Sequence, residues 1–376
     1  MLPPGVRAEG VAVEFWQVLV PFVVATAVSA VSTPLVSIVA RQIGAIDRPN
    51  ERKVSRRDGM PLMGGVAVAL GACVGLAVFV ITLGLDGESI RKVEGFLMGG
   101  SVLIVVGALD DRWTVAAWPK LIFQLVGAGV AIHFGFVILQ FREPFTGASF
   151  DLPFWFGALV TTAWVVGVCN AMNLIDGLDG LSAGVGAIIA LTLTVICAQA
   201  DQLVGVLIGV ALFGALLGFL PFNFPPARIF LGDTGALFIG YTLSLVALDS
   251  YIGGYRKAAL MTFLVPLLAL AVPLLDTVLS IIRRVRARQP IFNADRKHLH
   301  HRLLETEGSD RKAVLSLYFL TACFCVIAVS FTKLQGYAAL VFLVAVIVLT
   351  LRLLRNMGVH YGPGSATTSA PEGGDE

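Results

Sequence analysis

From residue 15 to residue 354 the apolar residues fall in long blocks divided by short polar stretches, rather than in periodic stripes. A helix that crosses a bilayer needs about 20 apolar residues, with about 17 the practical minimum. On that measure the pattern predicts eleven spanning helices: Phe15 to Ala40, Met63 to Leu85, Val93 to Leu109, Trp118 to Leu139, Phe154 to Val168, Leu181 to Ala198, Gln202 to Leu220, Thr234 to Tyr251, Ala258 to Ile282, Ala313 to Phe331 and Gly336 to Leu354. The third, fifth and eighth are short. The expected fold is therefore an all-α polytopic integral membrane protein. Arg7, Glu9 and Glu14 precede the first block, which is too long for a signal-peptide core and reads as a retained span. Many blocks are rich in Gly and Ala, as in Gly-Ala-Cys-Val-Gly-Leu-Ala at 71–77, a composition that lets helix backbones approach closely in lipid.

Composition agrees: 57% of residues are hydrophobic and 14% charged, against roughly 25% charged in soluble domains. A soluble globule is excluded. No polar stretch is long enough to fold a core of its own, so residues 15–355 read as one transmembrane domain, preceded by a tail at 1–14. Residues 356–376, rich in Gly, Ser, Thr, Pro and acid, read as a disordered tail. Cys73, Cys169, Cys197, Cys323 and Cys325 all lie in apolar segments, where they act as small hydrophobes and imply neither disulfides nor a zinc site.

Charge adds an orientation. If the loops after odd-numbered spans lie inside with the C-terminal tail, seven of the 27 basic residues (Arg7, Arg91, Lys92, Arg142, Arg256, Lys257, Lys333) fall outside and the other 20 inside. The basic excess marks the cytoplasmic side, so the N-terminus is expected outside and the C-terminus in the cytoplasm. The net charge of +2 conceals this asymmetry.

The polar groups capable of chemistry collect on that same inside face. The third span ends in Ala-Leu-Asp-Asp-Arg-Trp, placing Asp110 and Asp111 at the membrane edge, where two repelling carboxylates invite a divalent cation or a proton. The bland alternative is a solvated helix end. The fifth span runs into Asn-Ala-Met-Asn-Leu-Ile-Asp-Gly-Leu-Asp-Gly-Leu, in which Asn170, Asn173 and Asp176 recur every third residue along one helix face and Asp179 precedes the sixth span. Helix capping would explain one Asp, not two Asp and two Asn with two Gly. Asp233, in Phe-Leu-Gly-Asp-Thr-Gly, sits between glycines just before a helix, where free backbone N–H groups could meet phosphate oxygens; a turn with a cap is the plain reading. After the ninth span, His298, His300 and His301 lie within four residues among Arg and Lys. Positive-inside topology explains the Arg run but not the histidines. A zinc site is one reading, and an anionic diphosphate suits three His beside six or more cations better. The first inside loop, from Asp47 to Gly65, is basic, and topology alone would account for it. Asp276 lies within the ninth span, and acids inside a membrane are functional by default, although it could instead be a buried partner for Arg or Asn.

Leu-Asp-Asp, Asn-x-x-Asn-x-x-Asp-Gly-Leu-Asp-Gly-Leu, Phe-Leu-Gly-Asp-Thr-Gly and Asp-Arg-x-His-x-His-His-Arg, in that order, resemble the motifs of the polyprenyl-phosphate N-acetylhexosamine-1-phosphate transferases, glycosyltransferase family 4. The likeness runs from about Asp47 to Leu354. The His-Leu-His-His form is similar to the undecaprenyl- or decaprenyl-phosphate GlcNAc-1-phosphate branch, and departs from the three consecutive His of the phospho-N-acetylmuramoyl-pentapeptide branch. The resemblance implies transfer from UDP-GlcNAc or another UDP-N-acetylhexosamine to polyprenyl phosphate, releasing UMP, with Mg²⁺ required or Mn²⁺ in its place. It implies catalytic roles for Asp110, Asp111, Asp176 and Asp233, with Asp110 the family's proposed base or nucleophile. Metal binding would fall to Asp176, Asp233 and Asp111, and substrate binding to Asn170, Asn173, Asp179, Arg296, His298, His300 and His301. It further implies a multi-pass protein of the cell (inner) membrane with a cytoplasmic active site, no nucleic-acid partner, and room for a homodimer.

A transporter is the main rival, but transport sites lie near the bilayer midplane, whereas all but one of these acids sit at one edge. No H-E-x-x-H or G-x-S-x-G motif supports a membrane hydrolase.

Overall fold

The computed structural model describes residues 6–8, 11–47, 59–142, 149–253, 259–286, 288, 298–332, 341–342, 344–346, 348–349 and 352. Two compact units divide the chain, residues 1–336 and 337–376. In the second, the described residues are helical, and the expected eleventh span otherwise lies outside the described residues.

The first unit is built from helices: α1 (Phe15–Ile43), α2 (Gly64–Leu83), α3 (Gly87–Trp113), α4 (Ala117–His133), α5 (Phe154–Ile175), α6 (Leu181–Gln199), α7 (Leu203–Asn223), α8 (Gly232–Gly253), α9 (Ala259–Ala269), α10 (Ala271–Arg286), α11 (Leu299–Glu307) and α12 (Asp310–Phe331). Three small antiparallel hairpins interrupt them: β1 (Val6–Ala8) with β2 (Val11–Val13), β3 (Ile46–Asp47) with β4 (Met60–Pro61), and β5 (Gln140–Arg142) with β6 (Ser149–Asp151). Among the described residues, α1, α2, α3, α5, α6, α7 and α12 are each long and apolar enough to cross a membrane. Large apolar side chains such as Val31, Leu35, Leu159 and Phe319 point outward from α1, α5 and α12, as lipid-facing helices require. The core lies along α6, α7 and α8, whose side chains are mostly buried. Small residues let helices approach, as expected: Gly71 and Gly75 of α2 face Ala25 of α1 so closely that a Cβ on either would collide with it.

The elements depart from the expected spans where local chemistry intervenes. α3 extends to Gly87 because Asp86 caps its first turn by accepting from Ser89 N at 2.7 Å. α4 stops at His133, short of the expected Leu139, where Gly135 takes φ 105° and the chain runs extended toward β5. The fifth span continues to Ile175, which places Asn170 and Asn173 inside a helix. The ninth span is two helices, not one. Pro273 has no N–H to donate to Ala269 O, and that carbonyl instead faces Cys325 Sγ of α12 at 3.8 Å. α11 falls between the ninth and tenth expected spans, where apolar length predicts no helix.

Candidate active site

Five helix ends meet at one end of the bundle: the N-termini of α2, α4 and α8 and the C-termini of α3 and α5. The segment leading into α8 is pinned by main-chain hydrogen bonds from Gly64 N to Phe230 O (3.0 Å), from Gly65 N to Leu231 O (2.9 Å) and from Phe230 N to Pro61 O (2.9 Å). A Cβ on Gly65 would strike Gly235, and one on Gly107 would strike Thr234, so α2 and α3 press directly against the first turn of α8. The glycine pair that opens the second span therefore seats Asp233.

Asp110 and Asp111 are adjacent, about 100° apart around the helix, and they point to different partners. Asp111 accepts from Asp233 N at 2.8 Å, from Thr234 N at 3.3 Å and from Thr234 Oγ1 at 2.6 Å, so it caps the N-terminus of a neighbouring helix. Asp110 accepts from Val115 N through Oδ1 (2.5 Å) and from Lys120 Nζ through Oδ2 (2.6 Å). The same ammonium donates to Asp233 Oδ2 at 2.8 Å, while Asn173 Nδ2 donates to Asp233 Oδ1 at 3.0 Å. Carboxylate, ammonium and carboxylate thus form a line, with 8% of the Asp110 side chain exposed, 24% of Lys120 and 29% of Asp233. Asp233 is the carboxylate that opens most to the exterior.

Sequence reasoning missed Lys120. The signal was present: it is the sole Asp, Glu, Lys or Arg in the expected fourth span, and a lone cation within an apolar helix demands a partner.

The other expected residues surround this line. Asn170 donates to Gln124 Oε1 of α4 and to Val166 O, both at 2.8 Å, so it ties α5 to α4. Asp176 occupies the C-terminal cap of α5 and is half-buried. Asp179 accepts from Ala227 N at 2.9 Å, linking the Asp-Gly turn to the segment that leads into α8. His298, His300 and His301 stack as neighbours, with ring centroids 5.6 Å and 4.3 Å apart, at the start of α11. Burial and the nearby His301 push the His300 pKa down to about 3, so this imidazole is neutral. Arg296 lies outside the described residues. Among the described residues no three His, Cys, Asp or Glu side chains form a ready-made metal cage.

Comparison with known proteins adds three relatives and a family. Residues 93–251 match the model of glycosyl transferase family 4. The chain is 34% identical over 338 residues, 90% of its length and 91% of the relative's, to a Bacillus subtilis protein described as a probable undecaprenyl-phosphate N-acetylglucosaminyl 1-phosphate transferase. It is 35% identical over 306 residues, 76% of each chain, to decaprenyl-phosphate N-acetylglucosaminephosphotransferase of Mycobacterium tuberculosis. With the undecaprenyl-phosphate alpha-N-acetylglucosaminyl 1-phosphate transferase of Escherichia coli it shares 28% over 317 residues, 80% of this chain and 83% of the other.

Proposed function

The chain belongs to glycosyl transferase family 4, and from that premise we propose that it transfers N-acetylglucosamine-1-phosphate, or a related N-acetylhexosamine-1-phosphate, from a UDP-sugar to polyprenyl phosphate. The products are polyprenyl-diphospho-sugar and UMP, the first membrane step of a cell-envelope polysaccharide. One observation carries the reading: the Asp110–Lys120–Asp233 line at the bundle end where five helix termini converge. Phosphoryl transfer asks for positioning and charge stabilisation more than for covalent chemistry by the protein, and this line supplies both signs of charge within one hydrogen-bonded set.

A phosphate monoester has a second pKa of about 6, so near pH 7 the lipid phosphate is mostly dianionic and needs no base. Its oxygen attacks the sugar-bearing β-phosphorus of the donor; the bond from that phosphorus to the bridging oxygen breaks, and UMP leaves. Direct attack is favoured over a covalent aspartyl intermediate because both Asp110 oxygens are already engaged, by Val115 N and by Lys120. Lys120 is the group suited to draw an incoming phosphate into the line.

The donor set suits Mg²⁺, which takes one or two carboxylates and completes its octahedron with water and substrate oxygens. Asp110 and Asp233 already share one cationic nitrogen within 2.6–2.8 Å, so a cation's charge fits there. Asp233 would hold Mg²⁺ with Asp176 near by, and the ion would neutralise charge on the donor's phosphates. Asp111 contributes by seating Asp233. The basic-residue asymmetry supports this end of the bundle facing the cytoplasm with the N-terminus outside, and eleven spans in the inner membrane, over residues 15–355, remain part of the proposed reading.

The test is purified protein in nanodiscs, given polyprenyl phosphate and a panel of UDP-sugars with and without Mg²⁺. UMP release that needs lipid, Mg²⁺ and a UDP-N-acetylhexosamine is expected. UMP release in the strict absence of lipid, or trapping of phospho-Asp110, would overturn direct attack.

A further inference from the structure

Asp276 takes no part in the line of charges above, yet it is buried within α10 with both oxygens occupied. Oδ2 lies 3.0 Å from His298 Nδ1, and Oδ1 accepts from Leu299 N at 2.8 Å. The second bond caps α11, whose own N-cap residue, His298, makes no side-chain capping bond. Asp276 stands ten residues before Arg286, the last residue of α10. At 1.5 Å per residue the start of α11 is thus held about 15 Å back along α10.

His300 completes the arrangement. Its ring is 2% exposed, lies parallel to that of His298 with an 8° interplanar angle, and has Nδ1 4.0 Å from Asp276 Oδ2 with no hydrogen-bond partner among the described residues. Its opposite edge abuts Gly177: a Cβ there would collide with Nε2, Cε1 and Cδ2. The imidazole is therefore a wedge between the acid in α10 and the Asp-Gly turn that follows α5. Asp276 thus takes the Nδ1 side of the buried His298 ring and fixes its orientation.

We propose that Asp276 is a positioning residue for the transfer reaction: its carboxylate orients His298 and caps α11, and so sets the histidine segment against Gly177, beside Asp176, where the donor's diphosphate is held. This rests on the reaction assigned above. Outer hydrogen-bond partners that orient a metal-bound histidine are typically worth 10–100-fold, the lower end of which sets the scale for orienting a histidine that meets substrate, and residues acting as one unit are non-additive.

The experiment compares Asp276→Asn, His298→Gln, their double variant and Gly177→Ala with the parent protein in nanodiscs. Steady-state kinetics are read for each substrate, together with hydrogen exchange of the 298–307 segment. Asp276→Asn is expected to raise the KM for UDP-sugar about tenfold, leave the KM for polyprenyl phosphate unchanged, and speed exchange in α11 without changing α8. In the His298→Gln background it raises the donor KM by less than it does alone. Gly177→Ala, which displaces His300 without touching Asp276, is expected to raise the donor KM as well, and it carries the test if Asp276→Asn does not fold. Unchanged α11 protection, equal effects on both KM values, or additive losses in the double variant would overturn the proposal. A parent protein that releases no UMP would sink the assigned reaction instead, leaving the exchange measurement to decide whether Asp276 docks α11.

Discussion

Lys120 and Asp233 mark how far single residues could be read from the chain. Asp110, Asn173 and Asp233 were legible because their motifs put too many oxygen-bearing side chains at one edge for capping alone, and the structure joins all three through Lys120 or Asp233. Lys120 was not, because a solitary cation near a span's start looks like an ordinary positive-inside residue. Lys120→Met should lower turnover by about 10² or more, since it removes the charged donor between Asp110 and Asp233, while the protein still inserts; UMP release per inserted molecule checks it. His300 was legible only as one of three clustered histidines, whereas burial, which pushes its pKa down to about 3, makes it a neutral wedge. In the unfolded chain the same imidazole takes up a proton below about pH 6.5. Its neutrality is therefore compatible with folding above that pH and destabilises the fold increasingly as pH falls toward 3. Melting temperature should drop between pH 7 and pH 4, and drop less in His300→Phe.

At the scale of elements, one device recurs: a carboxylate from one helix caps the N-terminus of another. Asp111 of α3 caps α8, Asp276 of α10 caps α11, and Asp249 of α8 accepts from Gly205 N in the first turn of α7 at 2.8 Å while Lys92 of α3 pairs with it at 3.0 Å. Helix ends that water cannot reach must find such partners. These acids were visible in the sequence, but their jobs were not, because the partners lie far away in the chain. Asp249→Ala, at the far end of α8 from Asp233, leaves Lys92 and Gly205 N without their acceptor. It should cost about 3 kcal/mol, read as a lower melting temperature in detergent with unchanged KM values. Helix boundaries were legible wherever apolar length alone decided them. The break within the ninth span was not legible because the carbonyl that Pro273 frees accepts from Cys325 of a neighbouring helix, and α11 was not because its N-terminus is stabilised by Asp276 rather than by its own sequence.

For the whole molecule, the one-sided distribution of chemistry was the most informative signal. Motifs separated by more than a hundred residues meet because α3 and α8 run antiparallel and α5 packs along α8, which brings a C-terminus, an N-terminus and a C-terminus to one level. A transporter would place such acids along a path through the bilayer, whereas this set closes on itself at one end. The account depends most directly on Asp233 acting at that junction, so the decisive measurement is lipid-dependent UMP release by Asp233→Asn beside the parent protein, with melting temperature followed in the same preparations. A loss of at least about 10²-fold in turnover with an unchanged melting temperature is the predicted result. Turnover equal to the parent's would contradict it.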